Sequence, residues 1–276
     1  MVEFCFITAA VIVCAIALYL KNFFSTPSIK AKPAILKKNF KKDRVYLYQF
    51  KRLKNCPSLS PFCMKIEILC RMYNIPHETV DCTYLRSRNG LLPFIELNGE
   101  HIADSSLIEM RLKSHFNIPS LSVDLEAQSV ALSKMTDHHL FFLLIRFKTA
   151  VNAFYETIIG SIGLPSFLTP VFIPILKATF GKKVYSRCAG AIGEFEWREL
   201  DELLHKDLEV VQNSIKGRFI FGDKMTPVDA TVFSHLATVY YPFRNHISDV
   251  LEKDFPMVLE YCERVRKEVY PNDFTV

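Results

Sequence analysis

Residues 91–106 read LLPFIELNGEHIADSS, a pattern of two short apolar runs around a turn. The runs are Pro93–Leu97 and Glu100–Ala103, and the Asn-Gly dipeptide between them is typical of the tight turn of a β-hairpin. Asp104 follows the second run directly and is a residue type that caps helix N-termini. The stretch therefore predicts a hairpin followed at once by a helix, which we expect to end near Phe116.

The residues before the hairpin predict a strand, a helix and a second strand. Val45–Phe50 (VYLYQF) and His77–Tyr84 (HETVDCTY) contain the β-branched and aromatic residues that are typical of strands. Between them, residues 55–67 read NCPSLSPFCMKIE. In this segment Ser60 can cap a helix and Pro61 can occupy its first position. The order of elements is thus β-α-β-β-α.

The rest of the chain predicts helices. From the spacing of apolar residues we expect helices near 124–150, 192–215, 227–240 and 248–268. Thr226 and Asp229 form a variant capping box around Pro227, in which Asp takes the place of the usual Glu or Gln. The chain is therefore predicted to be α+β, with its strands in the first half.

This order of elements, together with three motifs, resembles the glutathione S-transferase superfamily. The motifs are NCPSLSPFCMKIE at 55–67, LLPFIELNGEHIADSS at 91–106 and FIFGDKMTPVDATVF at 219–233, and they look most like its failed-axon-connections and metaxin-related branch. A membrane-anchored form of that branch resembles the cadmium-responsive proteins of nematodes. The resemblance implies a thioredoxin-like domain at 44–117 and an all-helical C-terminal domain at 118–268.

The resemblance also implies a glutathione site at the start of the first helix, with glutathione as co-substrate and no other cofactor. Pro93 lies where thioredoxin-like proteins carry a cis-proline, and Asp104 and Ser105 lie where the family contacts the γ-glutamyl group of glutathione. Ser60 stands where glutaredoxins have the nucleophilic Cys of their C-P-[FY]-C motif, so it would donate a hydrogen bond to the glutathione sulfur. A plain helix-capping role fits Ser60, Asp104 and Ser105 as well.

Three further residues are alternative candidates. Cys63 lies just inside the helix as a thiol, and Tyr48 lies on the strand where tyrosine-type transferases carry their catalytic residue. Core packing explains both residues equally well. Cys56 lies in the loop before Ser60, where we expect it to be exposed, and Cys56 with Cys63 would offer soft ligands to a metal ion. The eight cysteines show no C-x-x-C or zinc-type spacing, so no disulfide scaffold or zinc site is predicted.

The N-terminus predicts a membrane anchor. Residues 4–20 contain no charge, Pro or Gly, and as a helix they would span about 25 Å, near the lower limit for crossing a bilayer. A cleaved signal peptide needs a positive n-region, whereas Glu3 is the only charged side chain before Lys21. We therefore expect residues 1–21 to form a transmembrane helix, with a signal peptide or a buried helix as the alternatives.

The net charge of +5 is concentrated just after this segment. Residues 21–44 hold eight Lys and Arg and one Asp, so the rest of the chain is near neutral, which argues against nucleic-acid binding. A basic linker at 22–43 is either simply solvated or attracted to anionic lipid, and by the positive-inside rule it would place the body in the cytosol. We expect a single-pass protein whose partner is the lipid bilayer, with a homodimer or a membrane-protein partner left open.

A second stretch, Thr157–Leu176, also lacks charges, but its three prolines and two glycines argue against a straight spanning helix. It would instead touch a membrane or a partner, or pack over the domain interface. A third stretch, LRSRNGLL at 85–92, is too short for the helix that holds the glycine end of glutathione in transferases, so the glutathione site looks partial. Arg86 and Arg88 would replace that helix or be solvated loop charges.

Two functions fit the whole sequence. The first is a glutathione-linked enzyme or binder in detoxification or metal stress, which the Ser60 helix start and Asp104 favour. The second is a non-enzymatic interaction module at a membrane surface, which the missing nucleophilic Cys and the short 85–92 loop favour.

Overall fold

The computed structural model describes residues 13–16, 18, 33–82 and 84–275 of the 276-residue chain. The four strands of its sheet are β1 (Val45–Gln49), β2 (His77–Asp81), β3 (Phe94–Leu97) and β4 (Glu100–Ala103). The strand order is β2-β1-β3-β4, with β1 and β2 parallel and the other pairs antiparallel. The predicted strands are confirmed, although β2 ends at Asp81 rather than near Tyr84. Asn98 and Gly99 both have positive φ, as the predicted hairpin turn requires.

Helix α1 (Pro61–Met72) is enclosed between the sheet and the helical domain. Ser60 is its N-cap and Pro61 its first residue, as predicted. Even Lys65 on this helix is buried, and its ammonium pairs with Glu109 at 3.0 Å and with Asp137 at 3.3 Å. These two carboxylates offset the cost of burying the charge, which would otherwise be several kcal/mol.

The remaining helices follow in chain order. They are α2 (Ser105–His115), α3 (Val123–Lys134), α4 (Phe141–Ala150), α5 (Asn152–Ser161), α6 (Thr169–Leu176), α7 (Lys182–Ile192), α8 (Trp197–Ser214), α9 (Pro227–Tyr240), α10 (His246–Asp254) and α11 (Pro256–Val269). The single helix predicted at 248–268 is wrong, because Pro256 cannot continue α10 and begins α11 instead. The helix predicted at 124–150 is interrupted by a π-helical turn at Met135–Leu140. Helices α5, α6 and α7 were not predicted.

The chain before Arg44 is fastened to the sheet. The backbone N–H groups of Leu36 and Lys37 donate to the Glu96 carboxylate on β3, at 2.7 and 2.9 Å. The hydroxyl of Tyr48 donates to the same carboxylate at 2.9 Å. The contacts of the first domain therefore include Leu36 and Lys37, which lie inside the segment predicted as a linker at 22–43.

The transmembrane prediction for residues 1–21 falls mostly outside the described residues. Among the residues that the structure does describe, no helix is long and apolar enough to cross a bilayer. The charge-free stretch Thr157–Leu176 ends α5, passes through a 3-10 turn at Ser166–Leu168 and forms α6. Phe172 and Leu176 are buried in it, whereas Phe167 is 77% exposed. The stretch thus belongs to the helical domain and also presents apolar surface to solvent.

Candidate functional site

The described residues form a cavity of about 710 Å³ where the sheet domain meets the helical domain. Its rim is formed by the start of α1, the loop before β3 and the start of α2. Its other walls are mainly apolar and include Ile16, Phe142, Phe154, Phe172 and Leu176. The volume lies within the range of roughly 300–1,000 Å³ that small-molecule sites occupy.

Ser60 lines this cavity at the N-terminus of α1. Its Oγ accepts a hydrogen bond from the backbone N–H of Cys63 at 3.4 Å, which is long for such a bond. A hydroxyl carries one donor and two acceptor lone pairs, so Ser60 can cap α1 and still donate its proton to an acceptor in the cavity. The capping and ligand-binding interpretations of Ser60 are therefore compatible.

Pro93, Asp104 and Ser105 line the same cavity as Ser60. The Leu92–Pro93 peptide bond is cis. Asp104 has φ 80° and ψ 128°, a backbone conformation that residues other than Gly rarely adopt and that costs of order 1–3 kcal/mol. Its carboxylate accepts from the N–H groups of Ser106 and Leu107, so it caps α2. The structure thus brings the four expected glutathione contacts to one rim, and glutathione binding itself stays a prediction.

Tyr48 does not reach this site. Its hydroxyl donates to Glu96, and its ring stacks on Phe94 with centroids 4.4 Å apart. Burial, reinforced by the bond to Glu96, raises the pKa of the Tyr48 phenol. The Tyr48 hydroxyl is therefore committed to a carboxylate within the sheet domain and does not line the cavity, so the structure does not support the candidate catalytic role of Tyr48.

The cysteine candidates are buried rather than reactive. Cys56 and Cys63 are both 0% exposed, so the expectation that Cys56 is exposed is wrong. The Cys56 thiol instead donates to the carbonyl of Ser58 at 3.2 Å. Burial raises the pKa of each of these two thiols to about 12, which outweighs the effect of the α1 N-terminus on Cys63. Within the described ranges, no cluster of three or more His, Cys, Asp or Glu could hold a metal ion, so Cys56 and Cys63 lack further ligands.

We expect the buried cysteines to resist alkylation in the native protein. At about pH 8, a thiol with a pKa of about 12 is roughly a thousandfold less ionised than an ordinary one, and burial also excludes the reagent. Iodoacetamide labelling followed by peptide mass spectrometry should leave Cys56 and Cys63 unmodified until urea is added. The urea-unfolded protein is the control, because Cys56 and Cys63 are accessible in it. Labelling of Cys63 in the native protein as fast as in the unfolded protein would contradict the burial described here.

Lys148 on α4 lines the cavity and was not among the sequence candidates. It is 2% exposed, and its ammonium donates to the backbone carbonyl of Leu59 at 3.0 Å. Burial lowers the pKa of Lys148 to about 7. The only signal in the sequence is that Lys148 shares a helical face with Phe141, Leu144 and Ile145, an apolar face on which a Lys is out of place.

His235 and Asp137 add a second buried polar group to the cavity wall. His235 Nδ1 donates to the carbonyl of Thr231, which leaves Nε2 as an acceptor 3.7 Å from Asp137 Oδ1. Neither of these facing atoms has a hydrogen-bond partner among the described residues. Burial lowers the pKa of His235 to about 4, so the imidazole is neutral near pH 7. Two acceptors therefore face each other at a distance that suits a bridging donor.

The loop at 84–92 contains no helix, as its length predicts. Arg86 lines the cavity from this loop, and its guanidinium lies over the Phe50 ring, 5.4 Å from the centroid. Arg88 is exposed and does not line the cavity. Of the two arginines considered as partners for an anionic ligand end, only Arg86 is therefore placed at the cavity.

Two curated proteins show sequence similarity to this chain. Failed axon connections of Drosophila melanogaster is 31% identical over 255 residues, which are 86% of this chain but only 60% of that protein. The isoprene-epoxide–glutathione S-transferase of a Rhodococcus strain is 26% identical over 223 residues, covering 77% of this chain and 93% of the enzyme. The chain thus spans less than two thirds of the first relative and nearly all of the second.

The fold and the domain signatures agree with these similarities. A crystal structure of a glutathione S-transferase from Rhodospirillum rubrum superposes with a TM-score of 0.54 at 21% identity, covering 82% of this chain and 90% of that one, and so shares the fold. The glutathione S-transferase N-terminal domain matches residues 61–154, and the C-terminal domain of the same family matches residues 204–265. Since both domains occur in order and together span more than half of the sequence, the chain belongs to the glutathione S-transferase family.

Proposed function

We propose that this protein binds glutathione weakly at Ser60 and transfers it to apolar electrophiles held in the adjoining cavity. The supporting observation is that Ser60, Pro93, Asp104 and Ser105 form one rim of a cavity whose other walls are mainly apolar. A charged tripeptide would lie along the rim, and an apolar acceptor would lie against the walls. The name of the Rhodococcus relative makes an epoxide a reasonable first electrophile to test.

In this proposal Ser60 donates a hydrogen bond to the glutathione sulfur. A bond to a charged acceptor contributes about 1.5–3 kcal/mol, and lowering a thiol pKa by two units requires about 2.7 kcal/mol. The bond therefore suffices to favour the thiolate if the tripeptide is held in place. The thiolate then attacks the electrophilic carbon, a C–S bond forms, and the epoxide oxygen or leaving group takes the electron pair.

The tripeptide would be held unevenly. Asp104 and Ser105 can hold the γ-glutamyl end at the start of α2, whereas the short loop offers chiefly Arg86 to the glycine carboxylate. We therefore expect binding in the high-micromolar to millimolar range, roughly −4 to −6 kcal/mol. Thiol-disulfide exchange should be negligible, because Ser60 cannot form a mixed disulfide and Cys63 is buried.

Ser60→Ala should lower the transferase rate about 10- to 100-fold, since one charge-assisted hydrogen bond is lost. Ser60→Cys should create glutaredoxin-like activity by restoring a C-P-F-C sequence. Ser122→Ala is the matched control, because Ser122 caps α3 in the same way and does not line the cavity. Calorimetric titration with glutathione and a conjugation assay are the measurements. Equal rate losses in the two alanine variants, or sub-micromolar glutathione binding, would contradict the proposed site.

We also propose that residues 4–20 anchor the protein in a bilayer, with the body in the cytosol. In the structure Ile16 of this segment lines the cavity, so the anchored protein would have to release Ile16 from that wall. The basic residues after this segment and the exposed side chains of Phe167 and Val171 support a position at a membrane surface. Protease added to sealed vesicles should then digest the body, and complete protection would contradict this orientation. We propose that any part in cadmium stress would run through glutathione, whose thiolate is a soft metal ligand.

The second candidate function is a non-enzymatic interaction module at the same surface. The exposed apolar surface around Phe167 favours it, since such patches commonly mark contacts with a membrane or partner. Absence of both glutathione binding and conjugation in the titration above, with the folded protein still bound to vesicles, would favour this function over the transferase.

A further inference from the structure

Lys148 is a buried cation that lacks a buried counter-ion. No carboxylate among the described residues forms an ion pair with its ammonium, and its one described hydrogen bond goes to the carbonyl of Leu59. An ammonium carries three donors, so two remain beyond the bond to Leu59. The contrast with Lys65 is direct, since that buried ammonium is paired with both Glu109 and Asp137.

The charges around the cavity favour an anionic ligand. Its lining includes two carboxylates, Asp104 and Asp137. Asp137 already pairs with Lys65, and Asp104 is occupied as the cap of α2. Neither carboxylate forms an ion pair with the Lys148 ammonium among the described residues, and apolar walls strengthen the attraction of that ammonium for an anion.

The walls beyond Lys148 favour an aliphatic tail. Phe154 lies with its ring centroid 5.7 Å from the Lys148 ammonium, and Phe172 and Leu176 continue the surface on α6. A molecule that satisfies both features has one negative charge at one end and an apolar chain at the other. A carboxylate fits better than a phosphate monoester because it carries one negative charge, which a single buried lysine balances. The second negative charge of a phosphate monoester would be buried without a partner.

We propose that the cavity binds a long-chain aliphatic carboxylate, with its headgroup on the Lys148 ammonium and its tail against α5 and α6. This inference rests on the proposed transferase function only in that both use the same cavity. It names the class of molecule that would bind against the apolar walls, where the electrophile is proposed to lie. Because Lys148 bonds to Leu59, the residue before Ser60, the headgroup would lie beside the glutathione rim. The binding needs no glutathione.

The test compares decanoate with 1-decanol on the full-length protein in detergent, without glutathione. Each ligand displaces a fluorescent apolar probe from the native protein, from Lys148→Met and from Lys177→Met. Lys177 is the matched control because it lies at the end of α6 and does not line the cavity. Partition into detergent is the same for all three proteins and cancels when one ligand is compared between proteins. The comparison of decanoate with decanol uses free concentrations corrected for the measured partition of each ligand.

Decanoate should bind the native protein and Lys177→Met at least tenfold more tightly than decanol does. In Lys148→Met, decanoate binding should weaken about thirtyfold or more, as expected for removing one partner of a buried charge pair, while decanol binding is retained. Retained decanol binding also shows that the variant folds. Decanoate binding that is unchanged in Lys148→Met would overturn the proposal. If the native protein binds decanoate but shows no glutathione binding in the calorimetric titration, only the proposed transferase function is contradicted.

Discussion

Replacing Lys148 with Met should raise the free energy of unfolding near neutral pH by about 3–4 kcal/mol. Burial lowers the pKa of this ammonium from 10.5 to about 7, and each pKa unit corresponds to about 1.4 kcal/mol. Keeping the lysine protonated in the folded protein therefore costs up to about 5 kcal/mol. Met fills a similar volume without a charge, and the loss of the bond to Leu59 removes only about 1 kcal/mol of the gain.

The stability gained from Lys148→Met should decrease as pH rises. Between about pH 7 and 10.5 the unfolded chain holds a proton on Lys148 that the folded protein has released, so the native protein becomes more stable as pH rises. The advantage of Met is therefore full below about pH 7 and shrinks towards pH 10.5. Urea unfolding curves at several pH values measure this difference. A constant difference between the two proteins across the range would show that Lys148 is hydrated in the folded state.

Lys177→Met is again the control, because an exposed lysine should change stability by less than about 0.5 kcal/mol. The stability measurement and the decanoate measurement thus examine the same side chain independently.

Asp229→Ala should lower the free energy of unfolding by about 3–5 kcal/mol, which is the larger part of the stability of many domains. One Asp229 oxygen accepts from the Ile220 backbone N–H at 2.9 Å and from the Tyr261 hydroxyl at 3.1 Å. The other accepts from the backbone N–H and the hydroxyl of Thr226, at 2.7 and 2.9 Å. Truncation leaves these buried donors without an acceptor. Each unsatisfied donor costs about 1–3 kcal/mol, and local rearrangement of the protein reduces the total.

Asp229→Asn sharpens this prediction. Asn keeps one accepting oxygen but turns an amide NH₂ group towards two donors, so we expect a loss close to that of Ala. Thr226→Val removes one donor together with the cap and should cost only about 1 kcal/mol. Denaturant unfolding followed by circular dichroism measures all three variants. A loss below 1 kcal/mol for Asp229→Ala would mean that this capping box does not hold α9 to the loop before it.

Local turn chemistry made much of the fold predictable. The Asn98-Gly99 turn, the Ser60 cap and the Thr226–Asp229 box each depend on neighbouring residues, and all three occur in the structure. Helices α5 and α6 escaped prediction because the charge-free stretch Thr157–Leu176, which ends α5 and forms α6, contains Pro and Gly, and tertiary packing rather than local propensity stabilises them. Pro256 could have been used to divide the last helix, since proline at a first helical position is a known start signal.

Part of the site was predictable at helix starts, and the family resemblance supplied Pro93 in the loop before β3. Ser60, Asp104 and Ser105 could be found because capping residues stand out in sequence, whereas Cys56 appeared exposed although α9 covers it. The Lys148 ammonium meets Leu59 across 89 positions of sequence, and no local pattern encodes that contact. A contact between residues that lie far apart in sequence, such as the one between Lys148 and Leu59, can be found only in the folded structure.

The hydrogen bonds from Leu36 and Lys37 to Glu96 set the reach of the body from its proposed anchor. A tether that ran from residue 22 to 43 would be about 75 Å long when fully extended. Because Leu36 and Lys37 are bonded to Glu96, the proposed tether would be limited to residues 22–35, or about 50 Å when fully extended. If residues 4–20 anchor the protein, a partner on the same membrane would have to present its binding surface within that height, and a pull on the anchor would reach the middle of the sheet through β3.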